Sequence, residues 1–138
     1  MPKDAKARLT ELDSATVIGS LREILPAQDL FDGVRTNAFL NFAVDVLGSL
    51  SHPTRIRIVS LLRNQALTVS QIQSELEIAQ ANASQHLQIL VRAGVLVREA
   101  NGASRVYRLR DPAICDLLDR VKLFWQSHKE DIAAERLG

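Results

Sequence analysis

Asn82, Gln85 and Gln88 are three amide side chains on one short stretch, Thr68 to Gly94, whose sequence is TVSQIQSELEIAQANASQHLQILVRAG. An amide offers a donor and an acceptor side by side, the pattern that pairs with the edge of an adenine in the DNA major groove. Gln80, Ser84 and His86 extend the same polar, almost uncharged set. Ala83, Leu87, Leu90 and Val91 recur at helical spacing and form an apolar stripe away from the amides. The spacing predicts an amphipathic helix that Gly94 ends, its N-terminal half turned to a hydrogen-bonding partner. It reads as a DNA recognition helix. Gln80, Asn82, Ser84, Gln85 and His86 approach base edges first, while Gln88 and Arg92 lie one and two turns further on and suit backbone contact. Ser84 is expected toward the core side, where it contacts phosphate or packs. His86 has a second reading, a ring bonded to the neighbouring helix.

Charge along the chain supports this placement. Residues 52–110 hold eight Arg against three Glu, whereas residues 1–51 hold five Lys/Arg against seven Asp/Glu and residues 111–138 hold four against six. A basic centre between mildly acidic flanks fits a module that meets phosphate while the ends meet protein; a solvated charged face is the alternative. Arg98 and Arg105 are expected to neutralise phosphate, with Thr68 and Ser70 bonding it at a helix N-terminus. Arg108 falls on the other side of its strand. Arg55 and Arg57 suit a structural ion pair as well as they suit DNA.

The elements that must hold these groups follow from periodicity. The first thirteen residues are charged and lack a pattern, and read as a frayed lead. A helix is expected over Ser14–Leu25, stopped by Pro26. The apolar positions from Leu30 to Leu50 continue as one long helix or two. Pro53 suits the first turn of TRIRIVSLLRN, a helix with little polar face. Thr68 is an N-cap for VSQIQSEL, the first helix of a helix-turn-helix pair. After Gly94, VLVREANGASRVYRLRD changes to alternation around Asn101-Gly102, which predicts a two-stranded wing turning at that dipeptide. Asp111-Pro112 opens a last helix whose apolar set, Ile114, Leu117, Leu118, Val121, Phe124 and Trp125, is too wide for a solvated surface and calls for a partner, most simply a second copy. The class is mainly α with a β wing: a single domain over residues 14–138, with 52–110 as DNA-binding core and 14–50 and 111–138 as dimerisation helices.

Other classes are disfavoured. No run of about 18 apolar residues suits a membrane span, and MPKDAKARLTELD lacks the apolar core of a signal peptide, so a cytoplasmic location is expected. There is no Gly-rich phosphate loop, and no paired carboxylates in an apolar setting, so no enzyme and no cofactor are expected. A winged helix that binds protein rather than DNA is the alternative function. The single cysteine, Cys115, cannot form an intramolecular disulfide. It is either a small core hydrophobe or a thiol sensor on a dimer helix.

The order of these elements, with LSHPTRIRIVSLL at the central helix, ASQHLQILVRAGVLV at the recognition helix and VYRL on the returning strand, resembles the ArsR family of winged helix-turn-helix repressors over roughly residues 40–127. The resemblance implies a cytoplasmic homodimer that represses transcription and is released from its operator by a metal or other signal, here a small-molecule or redox effector. A dimer would set two recognition helices about 34 Å apart on double-stranded DNA, predicting an inverted repeat. Family metal sensors carry a Cys-x-Cys pair where this chain has Thr68 and Ser70, and hydroxyls do not replace thiolates for a soft metal. The family's terminal-helix site, Asp-x-His followed by His-x-x-Glu, meets Cys115, Leu117, His128 and Asp131 here. Leu117 cannot ligate, and no metal is expected. Family members also commonly place Ser where this chain has Ala79, before the recognition helix. Asn82 is therefore expected to cap a slightly later start, withdrawing from base readout.

Overall fold

The computed structural model describes residues 33–138, with side chains from Asn37 onward, so the helix expected over Ser14–Leu25 lies outside the described residues. By contacts the chain divides into units 1–41 and 42–138. The described elements are α1 (Gly33–Leu50), α2 (Pro53–Leu61), β1 (Leu67–Thr68), α3 (Val69–Leu76), α4 (Gln80–Arg92), β2 (Leu96–Asn101), β3 (Ser104–Leu109) and α5 (Ala113–Leu137).

Local chemistry sets most boundaries. Pro53 occupies the first turn of α2, where its missing N–H costs nothing, and His52 caps that helix by accepting the Thr54 N–H at Nδ1, 3.1 Å away. Thr68 caps α3 in a reciprocal box: Thr68 Oγ1 accepts from Gln71 N at 3.2 Å, and Gln71 Oε1 accepts from Thr68 N at 2.9 Å. Glu77 ends α3 in the left-handed region at φ 54°, which sets the sharp turn into α4. Gly94, at φ +85°, lets the chain leave α4 for the wing.

The core of unit 42–138 lies where α2, α3, α4 and the sheet converge. Ile58, Val59, Leu62, Ile72, Leu87, Leu90 and Leu96 are its largest fully enclosed side chains. Each such side chain contributes about 1.5–3 kcal/mol by leaving water. Ala83, Leu87 and Leu90 form the buried stripe of α4 and hold its opposite face outward.

The sheet has three antiparallel strands in the order β1-β3-β2. Two residues long, β1 pairs Leu67 with Tyr107 and Thr68 with Val106, fastening the start of α3 to the wing. In the β2–β3 hairpin Asn101 pairs with Ser104, so the loop is Gly102-Ala103, one residue later than the expected Asn101-Gly102 turn. Gly102 alone takes a positive φ there, 62°, which fits a type II′ loop with glycine first. The register is fixed by the buried pair Leu96–Leu109 at the other end of the hairpin.

The 25 residues of α5 span about 38 Å. Its first turns are anchored: Cys115 is buried, Ile114 and Leu118 pack against the core, and Asp119 accepts a two-pronged contact from Arg63 at 2.7 and 3.0 Å. Further along, the expected apolar face stands open in the single chain, with Val121 58 %, Phe124 62 % and Trp125 55 % exposed.

Candidate nucleic-acid interface

The helix-turn-helix presents α4 with one face to solvent. Gln80, Asn82, Ser84, Gln85 and Gln88 are all exposed on it, and Arg92 is exposed at its last turn. Helical residues start at Gln80, Ala79 stands at the cap, and no side chain bonds the first-turn amides. Asn82 therefore does not cap a later start, contrary to the sequence expectation, and its amide stays among the outward groups. Ser84 also departs from expectation. It faces solvent rather than the core, on a stripe with Gln88, Val91 and Arg92 that fronts the wing.

His86 is different from its neighbours. Its ring is half-buried against His52, with centroids 4.5 Å apart, and Arg55 Nη1 approaches its Nδ1 at 3.3 Å. Burial, then the nearby His52 and Arg55, hold the His86 imidazole below its ordinary pKa. A neutral ring with Nδ1 as acceptor is the form this contact requires. Of the two readings open in the sequence, the geometry matches the structural one. Arg55 is likewise occupied, donating from Nε to the Ser49 carbonyl at 2.5 Å. It joins the end of α1 to α2 and α4.

On the wing, strand alternation sorts the arginines. Arg98 lies opposite Tyr107 and Arg105 opposite Ala100, which puts both arginines on the sheet face that carries Leu96 and Leu109. Arg108 lies on the other face and pairs with Glu99 at 2.6 Å, which raises the guanidinium's pKa and lowers the carboxyl's. Among the described residues, Arg92, Arg98 and Arg105 have neither a hydrogen-bond nor an ion-pair partner. Alternation alone separates Arg108 from Arg98 and Arg105, whereas nothing in the spacing marks Glu99 as its partner.

The remaining candidates are more constrained. The Thr68 hydroxyl is engaged with Gln71 on both sides, at 3.2 and 3.3 Å, whereas Ser70 is exposed one residue into α3. Cys115 is 2 % exposed, with Sγ 4.0 Å from the Val59 carbonyl, and burial pushes its thiol pKa up. A family metal fits neither place. One offers hydroxyls, of which Thr68's is committed to its cap; at the other, His128 and Asp131 are joined only by an enclosed thiol and by Leu117, which has no donor atom.

A helix-turn-helix whose second helix is backed by a β hairpin, with amides on the helix and unpaired cations on the hairpin, defines a winged helix-turn-helix protein. The comparisons agree. A helix-turn-helix domain model matches residues 50–99. The transcriptional repressor SmtB of Mycobacterium tuberculosis is 40% identical over 72 residues, which is 52% of this chain and 53% of SmtB. The uncharacterized HTH-type transcriptional regulator YbzH of Bacillus subtilis is 31% identical over 94 residues, covering 57% of this chain and 94% of YbzH. The homodimeric winged helix-turn-helix DNA-binding domain of Mb0332 from Mycobacterium bovis has a TM-score of 0.63 at 24% identity, over 70% of this chain and 90% of that one, a likeness of fold. The chain belongs to the ArsR family of winged helix-turn-helix transcriptional regulators. It spans about half the length of SmtB.

Proposed function

We propose that this protein is a sequence-specific transcriptional regulator, a homodimeric repressor that places α4 in the major groove of an inverted-repeat operator. One observation carries the reading. The exposed half of α4 bears Gln80, Asn82, Gln85 and Gln88, and the adjoining wing bears Arg98 and Arg105 with no internal partner among the described residues. Neutral amides suit base edges, and free guanidinium groups suit phosphate. Two such units in a dimer would sit about 34 Å apart, one turn of the duplex. Residues 52–110 serve as the DNA-binding core. Ser70 is the hydroxyl better placed for phosphate, since Thr68 is spent on its cap. SmtB, named as a repressor, supports the regulatory sign. No described helix is long and apolar enough to cross a membrane, in keeping with action on DNA in the cytoplasm.

The dimer is supported by the open face of α5, where Val121, Phe124 and Trp125 crowd one side of an anchored helix. A small molecule is the class of signal that fits best for release, since the thiol of Cys115 is enclosed and Leu117, with Thr68 and Ser70 at the other place, breaks the family ligand sets. Two substitutions test the DNA reading. Gln85→Ala should lower preference for the operator over other sequences, whereas Arg105→Ala should weaken all DNA about equally and reduce the salt slope. If neither changes DNA binding, α4 and the wing are not the interface. Phe124→Glu should shift the protein toward monomer in sedimentation.

A further inference from the structure

Between α4 and the wing lies an open cleft of about 500 Å³, lined by Ser84, Gln88, Val91, Arg92, Arg98 and Tyr107. Four features of it belong together. Ser84, Gln88 and Arg92 recur at intervals of four residues, so α4 turns one stripe to the cleft. Arg98 and Tyr107 are directly opposed across the hairpin, so the sheet turns one face to it. Tyr107 as a whole residue is 8 % exposed, and its hydroxyl has no hydrogen-bond partner among the described residues. None of the six lining residues is acidic, and the carboxylate of Glu99 is held by Arg108 on the opposite face of the hairpin.

In a residue that is mostly buried yet lines this cleft, a hydroxyl with no partner among the described residues is free to donate to a ligand seated there. Two guanidinium groups, an aliphatic hydroxyl and an amide beside it specify that ligand as an anion with several acceptor oxygens. The cleft is open to solvent, as a ligand that is part of a longer polymer requires. A helix in the major groove and a hairpin on its flank must straddle the sugar-phosphate strand that borders that groove. We propose that this cleft is a phosphate seat, in which Tyr107 donates its hydroxyl to one backbone phosphate of the bound duplex while Arg92 and Arg98 neutralise it. The inference rests on the DNA-binding reading and adds to it a single anchored phosphate in each half-site and a binding role for Tyr107. That role was not visible in the sequence, where VYRL reads only as a returning strand.

The test is a scan with operator duplexes carrying one uncharged methylphosphonate, moved one position at a time, against wild type, Tyr107→Phe and Arg98→Gln. Tyr107→Phe keeps the ring and removes only an unpartnered hydroxyl, so its melting temperature should equal or exceed that of wild type. Its affinity for DNA should fall about tenfold, and Arg98→Gln should also lower the salt slope by about 1 per protomer. One methylphosphonate position per half-site should weaken wild type strongly while adding little to the loss in either variant. If every position weakens the variants as much as wild type, the seat does not exist, although operator binding by Gln80, Gln85 and Arg105 stands. If wild type binds no DNA, the regulatory reading fails, and titration with inorganic phosphate decides the cleft by amide NMR. Shifts at Ser84, Gln88 and Tyr107 that vanish in Tyr107→Phe would assign it to a free phosphate-bearing molecule, and no shift would refute the seat.

Discussion

Arg55 and His86 meet side by side, guanidinium Nη1 to imidazole Nδ1 at 3.3 Å, across the junction of α2 with the recognition helix. The same guanidinium holds the Ser49 carbonyl, so one side chain registers three helices. Its removal leaves a part-buried carbonyl and ring without their donor. Arg55→Ala should therefore cost about 1–2 kcal/mol in urea unfolding and should lower operator affinity by loosening α4.

The contact also gives stability a pH dependence. His86 binds its proton less readily in the folded chain than at the ordinary value of 6.5, chiefly through burial and then through His52 and Arg55. The unfolded chain consequently takes up the proton first as pH falls. The stabilisation from neutral His86 is fully present above pH 6.5 and is lost as pH drops from there through the lowered native value. Unfolding of wild type and His86→Gln measured from pH 8 to 5 should show a decline in wild type that is smaller in the variant. Parallel curves would show that His86 does not contribute.

The start of the recognition helix lacks a side-chain cap. With Ala79 at that position and no bond to the first-turn amides, Ala79→Ser should raise stability by about 1 kcal/mol. A gain of zero would mean that another group, such as Asn82, already satisfies those amides.

Cys115 offers a contrasting case. Its thiol is enclosed and its pKa raised, so the reactive thiolate is scarce in the native state. Modification by a thiol reagent should be slow in the folded protein and fast in denaturant. Rapid modification of the folded protein at neutral pH would restore the sensor reading.

Much of this architecture was legible because single residues dictate it. Pro53, Thr68 and Gly94 each mark a helix end through backbone chemistry, and Ala83, Leu87 and Leu90 fix which face of α4 is buried. The failures have equally local causes. Asn101-Gly102 suggested the turn, but pairing of Leu96 with Leu109 sets the register and moves the loop to Gly102-Ala103. At two residues, β1 is too short to show alternation. Ser84 sits next to buried Ala83, and periodicity could not tell the core boundary from the cleft toward the wing. The partnership of Arg55 with His86 spans 31 residues of sequence and leaves no signal in spacing.

The central claim is that α4 and the wing read DNA by sequence. It is tested most directly by fluorescence anisotropy of the full chain on a labelled fragment from upstream of its own gene, titrated through salt with excess nonspecific duplex present. The account predicts tight binding that resists the competitor and weakens steeply with salt, as expected when several phosphates are neutralised by two wings. Binding no tighter than to the nonspecific duplex on that fragment, and on a wider panel of genomic fragments, would contradict it and favour a winged helix that recognises protein.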